Sequence, residues 1–371
     1  MSTLTDKALP ARRLNRIRLS RAQDLVEAIG WLSILYVVFT FLLNGGIAGI
    51  TNLQTALGSL ERITALLATI LLLIQILLIA RVPWLNALYG HDRATATHKK
   101  IGKPVLYLVI VHVVAVIWSY SLTDGVSLVN EFLSLINTIP EILLATISLC
   151  LMISVVLTSI KISRKKLSYE AWYLVHLLGY GAVMFAIPHQ LVVGVDIAGH
   201  PMTQYFWVAA YLFVGLNILW FRLLSPIFLS ASHKLVISDV RKASSDSVSI
   251  TISGSRLNKF NAEAGQFFIV RVINKTFWWR AHPFSLSSAP TNSALRFTIG
   301  DRGDDTKLLQ AIKPGTKVIL EGPYGIFTES RRQSDQVVLI AAGIGAPPIR
   351  ALAESTSASK VDILYRVRDA R

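Results

Sequence analysis

Between Leu25 and Phe221 the sequence is dominated by six apolar stretches, near Leu25–Leu43, Leu60–Ile79, Pro104–Leu122, Ile139–Ile160, Ala171–Leu191 and Tyr205–Phe221. A bilayer's hydrocarbon core takes ~20 helical residues to cross. Backbone in lipid must satisfy its own hydrogen bonds, so runs of this length predict membrane-spanning helices. The charges between them set the direction. Lys7, Arg12, Arg13, Arg16, Arg18 and Arg21 precede the first run. Arg81, Arg93, Lys99, Lys100 and Lys103 follow the second, and Lys161, Arg164, Lys165 and Lys166 follow the fourth. The alternate loops, around 44–59, 123–138 and 192–204, hold no Lys or Arg. The positive-inside rule then places both termini in the cytoplasm. The expected protein is multi-pass, in the plasma (cell) membrane, with the lipid bilayer as its first partner.

Composition agrees. Hydrophobic residues make up 53% of the 371-residue chain and charged residues only 16%, well below the quarter usual for soluble domains. The net charge of +15 lies in short loops between apolar runs rather than on one folded face, which argues against nucleic acid as a partner. A single cysteine, Cys150, excludes a disulfide framework and an iron–sulfur cluster of the chain's own. The basic leading segment has no apolar core before Leu25, so no cleaved signal peptide is expected.

After Phe221 the character changes. "RLLSPIFLSASHK" reads as a hinge. From Lys234 the runs "HKLVISDVR", "SVSITIS", "QFFIVRVI", "LRFTIG" and "KVILEG", separated by Gly, Pro, Asn and Ser, predict a small antiparallel barrel. "QVVLIAAGIGAPPIRALAEST" then reads strand, Gly-rich turn, helix, and "VDILYRV" a second strand. That is the start of an α/β nucleotide-binding unit, which ordinarily needs further strands.

Histidine inside a bilayer is costly and marks function. The third run carries His98 and His112, fourteen residues apart; the fifth carries His176 and His189, thirteen apart. Both runs start on the same side, so His98 is level with His176 and His112 with His189, the two levels ~20 Å apart at 1.5 Å per residue. Imidazoles facing each other across a bundle suit a six-coordinate haem iron, and two levels would stack two haems. The rotation fits less well: thirteen steps of ~100° leave His189 ~140° from the His176 face, which distortion of the last turn by Pro188 and helix tilt would have to absorb. A metal permease could also line a path with His, but spans three and five hold no acidic ligand beyond Glu170 at an end. His91 and His200 fall in loops and read as solvated.

In "RAHPFSLSSAP", 280–290, Phe284 offers a stacking face, Ser285, Ser287 and Ser288 hydroxyls, and Arg280 positive charge. That set suits a planar ring with a diphosphate tail, or an ordinary strand end. Gly303, Asp304 and Thr306, in "GDDT", precede a short helix whose N–H groups can hold a phosphate; a plain helix cap by Asp304 or Thr306 explains the same residues. In "AAGIGAPP", 341–348, Gly343 and Gly345 would let the backbone approach a pyrophosphate.

These residues resemble the ferric reductase and NADPH oxidase-like family of transmembrane electron transferases, most closely bacterial members with a ferredoxin-reductase-type FAD/NAD(P) half. The resemblance covers spans three to five and the chain from about 234 on. It implies a multi-domain membrane protein: a six-helix transmembrane bundle, a small antiparallel β-barrel FAD domain and the start of an α/β nucleotide-binding domain. The boundaries would be a cytoplasmic segment at 1–24, the haem-binding spans at 25–222, the FAD barrel at 232–331 and the NAD(P) unit at 335–371. It implies FAD, two b-type haems and NAD(P)H as cofactors. His98 and His176 would hold an inner haem, His112 and His189 an outer one. In "HPFSLSS", His282 would contact the FAD phosphates, Phe284 pack on the flavin beside Pro283, Ser285 lie near the reactive ring nitrogens and Ser288 help hold the diphosphate. "EGPYG", 321–325, would close the FAD domain. "AAGIGAPPIRAL", with Gly343, Gly345 and Pro348, would form the NAD(P) pyrophosphate turn, with Arg366 or Arg368 at the adenosine end. Two positions depart from the family: Gly300 stands where a basic residue is usual, with Arg302 as a substitute, and Pro347 where Thr is usual. The implied activity is electron transfer from cytoplasmic NAD(P)H through FAD and two haems to an external small-molecule acceptor, ferric iron or oxygen. The alternatives are a haem carrier with an altered nicotinamide site, served by another reductase, and a metal permease.

Overall fold

The computed structural model describes residues 5–274, 280–301 and 304–366. Its first part is helical: α1 (Thr5–Leu43), α2 (Leu53–Leu77), α3 (Pro83–Tyr89), α4 (His91–Asp124), α5 (Leu128–Thr138), α6 (Pro140–Ser159), α7 (Lys161–Lys166), α8 (Tyr169–Val192), α9 (Pro201–Asn217) and α10 (Ser225–Ser232). Among the described residues, six helices are long and apolar enough to cross a membrane: Leu14–Leu43, Leu53–Leu77, His91–Asp124, Pro140–Ser159, Tyr169–Val192 and Pro201–Ser232. Large apolar side chains along them, Trp31, Leu35, Leu174 and Met184 among them, are exposed, which suits lipid rather than water. Local chemistry sets the ends. Ser127 and Ser168 cap α5 and α8 by accepting from Asn130 and Ala171 N–H, and Pro83 and Pro140 open α3 and α6.

Two segments differ from expectation. The loop expected at 123–138 contains α5, made by the Ser127 cap and an apolar face that buries Leu135. The "hinge" after Phe221 is helical: α9 runs through a π-helical turn, Ile218–Leu224, into α10. Pro226 has no N–H to give the carbonyl four residues back, and a wider turn accommodates that.

The chain forms two compact units. One comprises Ala28–Ile76 and Thr97–Gly215. Within it α8 lies closest to α6. Small residues permit the approach: Ser148 Oγ donates to the Ala182 carbonyl at 2.6 Å, and Gly181 abuts Leu151.

The other unit holds residues up to Glu27, Leu77–Ala96 and the chain from Leu216 on. Ala80, Val82 and Leu85 are buried there against Val26, Ile218 and Phe221. Its strands are β1 (Val236–Lys242), β2 (Ser247–Ser253), β3 (Phe267–Val272), β4 (His282–Ser285), β5 (Ala294–Gly300) and β6 (Val318–Tyr324), with α11 (Asp304–Gln310) between the last two. They form two antiparallel sheets, ordered β1-β2-β5 and β4-β3-β6. Alternate residues point inward, and Ile237, Ile250, Ile252, Phe268, Leu295 and Phe297 make the core. Among the described residues the sheets are joined by the isolated bridges Val236–Lys317 and Leu286–Phe297 rather than by a continuous ladder, so the expected barrel is not closed. Register breaks at Ile237/Asp239 and Phe267/Ile269 bend the strands near that seam. The α/β unit follows as β7 (Gln336–Ala342), α12 (Ala346–Ser355) and β8 (Lys360–Arg366), the strands parallel from Gln336–Lys360 to Ala342–Arg366.

Candidate functional site

The four membrane histidines fall on α4 and α8, and all are half-buried. The structure brings His98 and His176 together, with ring centroids 6.1 Å apart and planes at 70°. Two metal–nitrogen bonds of ~2 Å in line, plus the radius of each ring, put centroids about 6 Å apart. Each ring is oriented through Nδ1. His98 Nδ1 meets the Gln75 carbonyl at 2.9 Å, and His176 Nδ1 meets Ser159 Oγ at 3.3 Å. Metal-bound imidazoles are held in this way through their other nitrogen, which leaves Nε2 of each ring available to a metal. Ser159 also accepts from Trp172 Nε1 at 3.2 Å, and Trp172 stacks on His176 at 4.9 Å.

His112 and His189 lie within range of each other's charge. His112 Nδ1 contacts Glu61 twice, at the backbone carbonyl (3.0 Å) and at Oε2 (3.3 Å). His189 Nδ1 is buried beside the Ala186 carbonyl without a well-formed bond. Pro188 sits inside α8 just before it. Nearby in sequence, Arg62 gives Nε and Nη2 to the Asp196 carboxylate at 2.8 and 2.6 Å. The residues fit a bis-histidyl haem at the inner level by spacing and Nδ1 support, and at the outer level by proximity and the Glu61 contact. Among the described residues no cluster of three or more His, Cys, Asp or Glu offers an all-protein metal site.

His91 corrects the expectation of a solvated loop residue. It opens α4, and its ring stacks on Tyr324 at 5.4 Å and lies 6.1 Å from Phe267. Arg81, with φ 62°, reaches Glu321 on β6, as does Arg271 at 3.5 Å. Neither contact was visible as a motif; only the aromatic "EGPYG" hinted that its Tyr would pack on something.

The expected flavin residues sit on β4 and just after it. β4 pairs with β3, Val270 opposite His282 and Phe267 opposite Ser285. Phe284 is half-buried against the core, its ring parallel to His282 within 17°. Pro283 is exposed and Ser285 and Ser288 are half-buried. Strand alternation puts Phe284 and Ser285 on opposite faces. Ser287 N–H donates to the Arg296 carbonyl at 2.8 Å and its carbonyl accepts from Arg296 Nη2 at 2.9 Å, yet its buried Oγ has no hydrogen-bond partner among the described residues. A buried hydroxyl left this way calls for a partner, and a flavin diphosphate would supply one. Arg280 is half-buried at the approach to β4. Gly303, Arg302 and Arg368 lie outside the described residues. Asp304 opens α11 and Thr306 lies in its first turn; one short helix is too little to make an anion site.

At the Gly-rich turn, Gly343 has φ 51°, and a Cβ at Gly343 or Gly345 would meet nothing within 4 Å. The space above the turn is open to a ligand. Donors are fewer than usual, because Pro347 and Pro348 have no N–H and Ala346 N–H is given to the Gly343 carbonyl. Arg366 ends β8 with its side chain exposed, its backbone opposite Ala342. The departure at Gly300 has a steric context: a Cβ there would come 2.9 Å from Ile344 Cδ1 of this turn.

Two protein families match the chain: residues 64–187 match the ferric reductase like transmembrane component, and 233–328 an FAD-binding domain. The chain thus joins a stretch similar to the ferric reductase like transmembrane component to one similar to an FAD-binding domain. Its relatives include mouse (Mus musculus) NADPH oxidase 1, 30% identical over 168 residues, covering 43% of this chain and 26% of that protein. Respiratory burst oxidase homolog protein D of Arabidopsis thaliana is 28% identical over 165 residues, covering 35% of this chain and 18% of that one. The chain thus spans about a quarter or less of these relatives. Among solved structures, the FAD/NAD-binding domain of a Vibrio cholerae nitric oxide dioxygenase is 21% identical, with TM-score 0.32, covering 37% of this chain and 62% of that one. A Neisseria gonorrhoeae ferredoxin NADP+ reductase is 19% identical, with TM-score 0.31, covering 37% and 57%.

Proposed function

We propose that this protein is an NAD(P)H-dependent transmembrane oxidoreductase that passes electrons through FAD and two b-type haems to an external acceptor, ferric iron or oxygen. The 6.1 Å pairing of His98 with His176 carries this reading. His98 and His176 would hold the inner haem and His112 and His189 the outer one, the rings of His98, His176 and His112 oriented through Nδ1. Flavin, when bound, supplies the conversion from hydride to single electrons that haem requires. The chain's residues do the rest. Ser287 offers its unused hydroxyl to the cofactor, Ser285 presents its hydroxyl on the face away from the core, and Phe284 ties that strand to the core. Arg280 and His282 supply positive or hydrogen-bonding groups to the diphosphate, and Arg366 the charge for an adenosine phosphate. Lys99, Lys100, Lys103, Lys165 and Lys166 fix both termini in the cytoplasm and the spans in the plasma membrane. The domain boundaries follow the sequence reading: 1–24, 25–222, 232–331 and 335–371.

The proline-rich start of α12 favours a second reading, a haem carrier whose nicotinamide site is weak and whose electrons come from another reductase. The test is a reduced-minus-oxidised visible spectrum of the purified chain in detergent, with haem quantified per chain, first with dithionite and then with NADPH. Two b-type haems reduced by both support the enzyme. Reduction by dithionite alone supports the carrier. A folded chain with no haem rejects both.

A further inference from the structure

We infer that Glu61 is a positioning residue that lowers the reduction potential of the outer haem through His112; the inference rests on the haem reading above. His112 Nδ1 meets two acceptors of one residue, the Glu61 carbonyl at 3.0 Å and its carboxylate Oε2 at 3.3 Å. The hydrogen bonds of His98 and His176 run instead to a backbone carbonyl and a hydroxyl, at 2.9 and 3.3 Å. A carboxylate thus backs the outer ligand His112.

The adjacent cation gives its hydrogen bonds to other acceptors. Arg62 gives Nε and Nη2 to Asp196 at 2.8 and 2.6 Å and Nη2 also to the Asn44 carbonyl at 3.0 Å, with its guanidinium 5.4 Å from the centre of the Phe41 ring. Asp196 is buried, 3% exposed, so the pair is closed on itself. Glu61 contacts His112, while Arg62, near enough to feel the Glu61 charge, gives its hydrogen bonds to Asp196 and Asn44. The Glu61 side chain is 17% exposed and that of His112 21%, so screening by solvent is incomplete and the contact acts at a low effective dielectric. A carboxylate accepting the Nδ1 proton raises the basicity of Nε2. More electron donation, and negative charge close by, both favour ferric over ferrous iron. An outer haem so held parts with its electron more readily, as delivery to an acceptor outside the membrane requires.

The test is Glu61→Gln in the full chain, titrated redox-wise in detergent and followed by visible spectra, with haem per chain measured alongside. Gln keeps the size and the backbone carbonyl contact and removes the charge. The expected result is two haems in both proteins, one midpoint raised and the other unmoved. The expected size is about tenfold in the ferrous-to-ferric ratio, or about 59 mV for one electron. Both midpoints unmoved, or both moved equally, overturns the role of Glu61 and leaves the haem reading standing. A wild-type chain without haem overturns that reading itself. If Glu61→Gln does not retain two haems, Glu61→Asp decides: it keeps the charge and lengthens the contact, and an unmoved outer midpoint there overturns the proposal.

Discussion

Glu321 sits between two cations, its side chain 4% exposed, with Arg81 and Arg271 both reaching it. Arg81 holds φ 62° to do so, a conformation non-glycine residues adopt at a cost. Removing one partner of a buried ion pair leaves the others uncompensated and costs about 3–5 kcal/mol. Glu321→Ala is therefore expected to lower the midpoint of chemical unfolding followed by tryptophan fluorescence. An unchanged midpoint would mean that the two arginines find other acceptors. Phe284 carries two roles that a variant can separate. It packs on the core beside Phe268 and Leu286, so Phe284→Ala is expected to cost about 2 kcal/mol of stability, less than a fully buried Phe. It is also expected to reduce flavin bound per chain. Ser287→Ala removes only the unused hydroxyl, and is expected to reduce bound flavin while leaving unfolding unchanged. Flavin content that stays full in both variants would detach β4 from the cofactor.

At the scale of elements, Glu329 joins the end of the β6 side to the α/β unit. It accepts from Thr356 Oγ1 at 2.8 Å, Ser357 Oγ at 3.0 Å and Arg332 Nε at 2.9 Å. Burial pushes the Glu329 carboxyl up, but the bonds from Thr356, Arg332 and Ser357 outweigh it and hold the group below the usual carboxylate range. A carboxyl depressed on folding stabilises above its unfolded pKa and loses that contribution as pH falls through the folded value. The junction is therefore expected to loosen below about pH 4, read as faster proteolysis between 331 and 360. Glu329→Gln should show the loosening already at neutral pH and little further change in acid; a parallel acid response in both proteins would reject the assignment. These joints were the least legible part of the sequence. The runs that became β1, β2, β3, β5, β6, β7 and β8 announced themselves by alternation and turn residues, as the six spans did by length. β4 did not, because four residues with a proline carry no period. The open seam between the sheets and the packing of His91 depend on partners far along the chain, which no local pattern encodes. The α4–α8 pairing was legible because two long helices hold their own register, and the contact of His112 with Glu61 was not, because it comes from α2.

On the proposed reading the two His levels are ordered steps, and the order is what a pair of variants tests. The rise of 1.5 Å per residue over the fourteen residues from His98 to His112 separates the levels by ~20 Å, more than one ring can bridge. Loss of either level should therefore interrupt delivery to the outside, yet at different depths. His112→Ala is expected to hold one haem per chain, to keep reduction of that haem from the cytoplasmic side, and to lose reduction of an impermeant acceptor outside. His98→Ala is expected to hold one haem that dithionite reduces and NADPH does not. Reduction of a soluble dye by the flavin should survive in both, since β4, β7 and α12 belong to the other compact unit. The comparison is made on sealed vesicles, with haem spectra, dye reduction and external acceptor reduction measured on the same preparation. If His112→Ala keeps two haems, the ligands are elsewhere. If the two variants behave alike toward NADPH, the levels are not in series, and the asymmetry of basic loops would then orient the spans without ordering the path.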